Sequence, residues 1–196
     1  MTTMHVQVDA KTGLWLEPKP VEVPKYLRKL RIGVMCSGNG TNFENIVRSC
    51  RQDEVVLMVY NKKHCGAKKR ANKLGIPNCH VKHCDEDDII KLFNAYNVDL
   101  IVLAGWMKIV SPKLIEAFPN RLINLHPSLL PKYKGLHAIE RALNSSDIVT
   151  GVSVHYVNEE LDGGELILQE EVPILPNDDV ESLTKAIQRK EYYLLP

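Results

Sequence analysis

The sequence predicts an α/β fold: a mostly parallel twisted sheet with helices on both faces and an antiparallel C-terminal portion. Three observations predict it. Short apolar runs alternate with segments of helical period through the first two thirds of the chain. One run, VDLIVLAG (98–105), is apolar on both faces, as the central strand of a parallel sheet should be. The last two strand-like runs, VTGVSVHYV (149–157) and ELILQEEVPI (165–174), alternate in polarity and are joined by LDGG, which reads as an antiparallel pair.

The elements follow in order. Residues 1–30 carry three prolines and no sustained periodicity, so they read as an arm before the domain, laid across its surface through Leu14, Trp15 and Leu16. RIGVMC (31–36) is a strand that runs into Ser37 and two glycines. In TNFENIVRSC (41–50), Phe43, Ile46 and Val47 recur at helical spacing, with Thr41 placed to cap. EVVLMVY (54–60) is a buried strand, and AKKRANKLG (67–75) a helix stopped by glycine. A short strand falls near 78–83 and a helix over 86–96. SPKLIEAF (111–118) reads as a helix with Pro in its first turn, RLINL (121–125) as a strand, and GLHAIERAL (135–143) as a helix. The stretch 177–194 closes the chain as an amphipathic helix, acidic near its start and basic further along.

Composition narrows the classes. At 196 residues, 44% hydrophobic, the chain can bury the core of one domain. Its 25 basic and 24 acidic residues balance to +1, so neither a nucleic acid nor a membrane surface is expected as the main partner. Five cysteines without framework spacing read as reduced thiols, and no apolar run has the length of a membrane span. A cytoplasmic protein is expected.

Three stretches carry chemistry. SGNGTN (37–42) lies between a strand and a helix start, where free N–H groups favour an anion. Phe43 stands where a dinucleotide fingerprint needs its third glycine, so a single phosphate monoester fits better; a plain strand-to-helix turn fits too. In INLHPSLLPKYKG (123–135), Asn124 and His126 are two apart on an extended segment, so both side chains point to one face. Pro127 keeps His126 extended. Asp162 sits in the LDGG turn. An amide beside a charged imidazole can stabilise an oxyanion, and a nearby carboxylate favours the charged imidazole and can relay a proton. Spacing alone does not bring Asp162 to His126, and each of the three also has an ordinary structural reading.

SGNGTN, AGWM (104–107), NLHPSLLPKYKGLHA (124–138) and GVSVHYVNEELDGGELILQ (151–169) occur together and in order. Over about residues 31–196 the chain resembles the glycinamide ribonucleotide formyltransferases, within the folate-dependent formyltransferase family. Two of its stretches, N-x-H-P-S-L-L-P and H-Y-V-x-E-E-L-D-G-G, are specific; the Gly-rich turn alone is not. The resemblance implies the formyltransferase fold, which is Rossmann-like. It implies one domain over 31–196, with a phosphate- and nucleotide-binding half (31–110) and a folate-binding, catalytic half (111–196). It implies transfer of the formyl group of 10-formyltetrahydrofolate, the co-substrate, to the amine of glycinamide ribonucleotide in de novo purine biosynthesis, with no metal. Gly40, Thr41 and Asn42 would hold the 5′-phosphate, and Gln188, Arg189, Lys190 and Glu191 would reach the ribonucleotide from the last helix. Met107, Lys108, Ile109 and Val110 would line the pterin pocket. Asn158, Glu159, Glu160, Leu161 and Asp162 would form a loop around it. Asn124, which also contacts the folate, and His126 would polarise the formyl oxygen. Asp162 would hold His126 charged and help deprotonate the amine, with Ser153 and His155 in support. Small molecules are the expected partners, with no nucleic acid and no membrane, and the protein would be a monomer or homodimer.

Departures and rival readings go with this. Family members often carry an Arg near the folate where this chain has HCDEDD (83–88), and many continue beyond the position of Pro196. Methionyl-tRNA formyltransferases usually have R-G-x-A-P where Lys134-Gly135-Leu136-His137 stand. The formyltetrahydrofolate hydrolases usually have a second His in place of Pro127. A hydrolase, transfer to another amine and a silent folate- or nucleotide-binding protein are the alternatives. His64-Cys65 with Cys79, His80, His83 and Cys84 offers metal-type ligands without paired C-x-x-C spacing. Lys62, Lys63, Lys68, Lys69 and Arg70 form a basic stretch, read as a solvated helix face.

Overall fold

Alternation along the strands builds the molecule. The computed structural model describes residues 4–9, 13–18 and 29–194. After a separate antiparallel pair, β1 (Met4–Asp9) and β2 (Gly13–Pro18), the chain forms β3 (Arg31–Cys36), α1 (Thr41–Ser49), β4 (Glu54–Tyr60), α2 (Gly66–Leu74) and β5 (Asn78–His80). It continues through α3 (Glu86–Ala95), β6 (Leu100–Leu103), α4 (Pro112–Ala117), β7 (Leu122–His126) and α5 (Ala138–Leu143). It ends with β8 (Val149–Tyr156), β9 (Leu166–Pro173) and α6 (Val180–Leu194). Seven strands make one sheet in the order β5-β4-β3-β6-β7-β8-β9. Pairings are parallel from β5 to β7 and antiparallel from β7 to β9, as expected from the sequence.

Because successive strand residues face opposite sides, each strand feeds two cores. Val34 and Cys36 pack with Phe43, Ile46, Ala67 and Ala71 of α1 and α2. Met35 packs with Ile89 and Phe93 of α3, Leu114 of α4 and Phe118 just after it on the other side. Further along the sheet, Val152 and Val172 bury Leu183 and Ile187 of α6, with Leu125, Ile139 and Leu143 against them. Leu125 therefore turns toward the α5–α6 layer. Asn124 and His126, its neighbours in β7, turn to the opposite face.

The strand order places β3 beside β6, so the chain leaves their carboxyl ends in opposite directions. Such a switch point opens a crevice in α/β sheets. Here the loop after β3 meets the loop after β6: Ser37 N–H donates to Gly105 O (3.1 Å), and Met107 N–H to Ser37 Oγ (3.0 Å).

Several boundaries differ from expectation for local reasons. Thr41 does not cap α1. Gly40 holds that place in the left-handed region (φ 73°), where a Cβ would lie 2.6 Å from Ala67 Cα. The helix expected over 135–143 starts at Ala138, because Gly135 (φ 79°) and His137 (φ 56°) are left-handed. That expected over 177–194 starts at Val180, with Asp179 Oδ1 accepting from Ser182 N–H (2.7 Å) and Ser182 Oγ from Asp179 N–H (3.0 Å). The segment expected as an arm without periodicity contains the β1–β2 pair. The docking expected of Leu14, Trp15 and Leu16 lies outside the described side chains. Among the described residues, no helix is long and apolar enough to cross a membrane.

Candidate active site

β7 carries Asn124 and His126 to one face, and β8 lies antiparallel beside it. The register pairs Asn124 with His155 and His126 with Ser153, so all four side chains share that face. A cavity of about 820 Å³ opens there, between the loop after β6 and the β8–β9 connection. Asn124, His126, His155 and Asp162 line it together with Met107, Lys108, Ile109, Val110 and residues 158–161. Asp162, 36 positions after His126, reaches it because the β8–β9 connection folds back over the strand ends. Gly164 makes this possible: any Cβ there would overlap the Tyr156 carbonyl oxygen.

The polar cluster is closely bonded. His126, 6% exposed, donates from Nε2 to the Tyr133 carbonyl (2.9 Å), since a carbonyl can only accept. Its Nδ1 faces Asp162 Oδ2 at 3.3 Å. The same oxygen accepts Gly135 N–H at 2.7 Å, and Asp162 Oδ1 lies 3.5 Å from His155 Nε2. Burial pushes the Asp162 carboxyl up. The His155 hydrogen bond, the Gly135 amide and the two imidazoles outweigh it and hold the group below the usual carboxylate range. Asp162 is therefore an anion, and the imidazole nitrogen facing it is matched only when it carries a proton. His155 donates from Nδ1 to Tyr156 O (2.8 Å), and its Nε2 also lies 3.4 Å from the Asn124 amide nitrogen.

Ser153 serves the turn after His126 and not the cavity. Its Oγ donates to Ser128 O (2.7 Å) and accepts from Leu130 N–H (3.0 Å) and the Gln169 amide (2.8 Å). Gln169, in a strand expected only to pair, gave no signal in the sequence. Gly105, Trp106, Val157, Gly135 and Leu136 also line the cavity without having been singled out. Gly105, left-handed at φ 74°, was visible only as the glycine of AGWM.

The phosphate-type loop borders this cavity through Met107 but does not line it. Glu44 N–H bonds back to Gly40 O (2.9 Å), so the N–H groups before it in α1 have no helical carbonyl to bond. Asn42 donates to Glu191 Oε2 (2.9 Å), which joins α1 to α6. The Asn42 Oδ1 is buried with no hydrogen-bond partner. Burial raises the Glu191 carboxyl, and the Asn42 amide offsets it in part. Of the other α6 residues expected at this site, Lys190 pairs with Glu170 of β9 (3.2 Å), and Arg189 is exposed. Four successive helical residues span every direction, so 188–191 do not all face α1.

HCDEDD is taken up structurally. Asp85 caps α3 by accepting from Asp87 N–H (2.9 Å) and Asp88 N–H (3.3 Å). Glu86 accepts from Ser111 N–H (2.9 Å), and Asp87 pairs with Lys113 (2.6 Å). Within the basic stretch, Arg70 pairs with Glu44 and donates to Asn39 O (2.8 Å). His80 stacks on Tyr60 and bonds the Asn61 carbonyl, and Cys84 accepts from the Asn61 amide. Among the described residues, no three His, Cys, Asp or Glu gather as a metal-holding group.

A mostly parallel sheet with a crevice at its switch point, and an Asn–His–Asp cluster in an apolar-walled cavity, have the make-up of an enzyme site for a small molecule. The chain belongs to the formyl transferase family, whose model matches residues 30–196. It is 38% identical over 177 residues to the phosphoribosylglycinamide formyltransferase of Haemophilus influenzae, covering 85% of this chain and 84% of that one. It is 37% identical over 182 residues to the trifunctional purine biosynthetic protein adenosine-3 of Drosophila melanogaster. There it covers 86% of this chain but spans only 14% of the fly protein. Among solved structures, the phosphoribosylglycinamide formyltransferase of Anaplasma phagocytophilum superposes with a TM-score of 0.84 at 35% identity, covering 86% of this chain and 84% of that one.

Proposed function

We propose that this protein transfers the formyl group of 10-formyltetrahydrofolate to the amine of glycinamide ribonucleotide. The observation that carries the reading is the convergence of Asn124, His126 and Asp162 at the floor of one cavity whose walls come from both halves of the chain, 31–110 and 111–196. Met107, Ile109, Val110, Leu136, Val157 and Leu161 offer an apolar slot suited to a flat heteroaromatic ring, with polar groups only at its floor and rim. The folate supplies the one-carbon unit; the chain's own groups do the rest. Asn124 and His126, the latter through Nδ1 because Nε2 is held by the Tyr133 carbonyl, are the donors for an oxygen that gains negative charge as an amine attacks a formyl carbon. Asp162, ionised and within reach of both imidazoles, accepts the proton the attacking amine must lose, directly or through water. His126 then supplies the proton the departing nitrogen needs. His155 stands between Asn124 and Asp162, its Nε2 3.4 Å from the Asn124 amide and 3.5 Å from Asp162 Oδ1.

The ribonucleotide fits the neighbouring groups. The N–H groups at the start of α1, which no helical carbonyl takes up, match a phosphate. Asn42 Oδ1 and Glu191, both acceptors, match the hydroxyls of a ribose. Isotope-labelled formyl folate tests the reading: the label is expected on the ribonucleotide amine. Label recovered as free formate, with or without the ribonucleotide, would replace it with a hydrolase.

A further inference from the structure

The segment between α5 and the end of β7 holds both halves of the acid–base pair. Tyr133 O accepts from His126 Nε2 (2.9 Å), and two residues on, Gly135 N–H donates to Asp162 Oδ2 (2.7 Å). One short stretch of backbone therefore sets where the imidazole and the carboxylate stand. That stretch is left-handed at Tyr133 (φ 56°) and Gly135 (φ 79°). An aromatic residue adopts this geometry only when its surroundings impose it.

The surroundings are specific. The Tyr133 hydroxyl donates to Asp147 Oδ2 (2.8 Å), and the Arg141 guanidinium lies 5.6 Å over the Tyr133 ring. Arg141 also donates to the Lys134 carbonyl (2.7 Å), the next one along. Lys132 on the other side is tied through its carbonyl to Ser128 Oγ (2.6 Å) and through its ammonium to Asp147 (2.8 Å). The phenol tip, the ring face and both flanking residues are all held, and none of these groups lines the cavity.

We propose that Tyr133 is a positioning residue for formyl transfer. Its side chain, tied to Asp147 and covered by Arg141, fixes the carbonyl that holds His126 by Nε2. This rests on the reading of the site given above. The ionisable groups that share the cavity with His126 are Asp162, Glu159 and Glu160 from the β8–β9 connection, His155 from β8 and Lys108 from the loop after β6. Without the anchor, the carbonyl wanders and the imidazole loses its firm Nε2 acceptor.

The test compares Tyr133→Phe, Asp147→Ala and Asp147→Asn with the wild type. Tyr133→Phe and Asp147→Ala are expected to lower kcat by about tenfold or more with KM for both substrates little changed, as a misplaced catalytic group does. Asp147→Asn keeps an acceptor for the phenol and should stay near wild type. A readout independent of turnover is the exchange of the His126 Nε2 proton with water in the ligand-free protein, identified by its absence in His126→Gln. It should be about tenfold faster in Tyr133→Phe. Unchanged exchange in that variant, or unchanged kcat, overturns the proposal while leaving formyl transfer intact. A wild type that transfers no formyl group removes the functional reading, and the exchange rates alone then decide whether Tyr133 holds His126.

Discussion

At the scale of single residues, two carboxyls of opposite character divide the site. Asp162 lies below the ordinary carboxylate range, so its ionised form stabilises the fold. That stabilisation is present above the unfolded value and is lost as pH falls through the folded one. Asp162→Asn should therefore show its largest drop in Tm near neutrality and converge on wild type in acid, and transfer should fall by about a hundredfold or more. Thermal melts across pH and steady-state rates check both. Glu191 has the reverse sign: burial raises it, so folding favours its protonated form and stability declines as pH rises through the unfolded and then the folded value. Glu191→Gln is expected to melt no lower than wild type at neutral pH. Its KM for the ribonucleotide should rise about tenfold, since an acceptor for hydroxyl donors is weakened. A lower Tm with unchanged KM would make Glu191 a structural contact between α1 and α6 only.

Elements place these groups, and here the legibility of the sequence varies. Strands were plain because their apolar runs are short and bounded: 54–60 is β4, and the pairing of Asn124 with His126 on one face follows from the two-residue repeat. Helix starts were less legible, because they depend on backbone geometry that side-chain pattern does not encode. Thr41 looked like a cap, yet Gly40 does that work through a conformation and a closeness to Ala67 that only the folded chain reveals. His137 likewise has ordinary helix-compatible chemistry but a left-handed backbone. Gly40→Ala brings strain and overlap together, and urea melts should show a loss of about 2–3 kcal/mol. The ribonucleotide KM should rise with it. A variant as stable as wild type would mean that the loop yields and that its shape is not what binds.

Across the whole molecule, the cavity joins residues that no local pattern connects. Asp162 meets His126 only because β7 and β8 are antiparallel and their following turns fold over the same strand ends. The resemblance implied that meeting, whereas the spacing of the two residues did not. Tyr133, Asp147 and Arg141 were illegible for the same reason: their roles arise from three separate segments meeting beside a buried imidazole. The acidic stretch 83–88, which stands where the family often has a folate-facing Arg, is consumed by capping α3 and tying it to α4. The central claim is that Asn124, His126 and Asp162 move a formyl group onto the ribonucleotide's amine. Its most direct test is the rate at which deformylated folate is released from 10-formyltetrahydrofolate, with and without glycinamide ribonucleotide, in wild type and in His126→Gln. Release that requires the ribonucleotide and collapses in the variant is the predicted result; release that ignores the ribonucleotide, or survives the loss of His126, would contradict it.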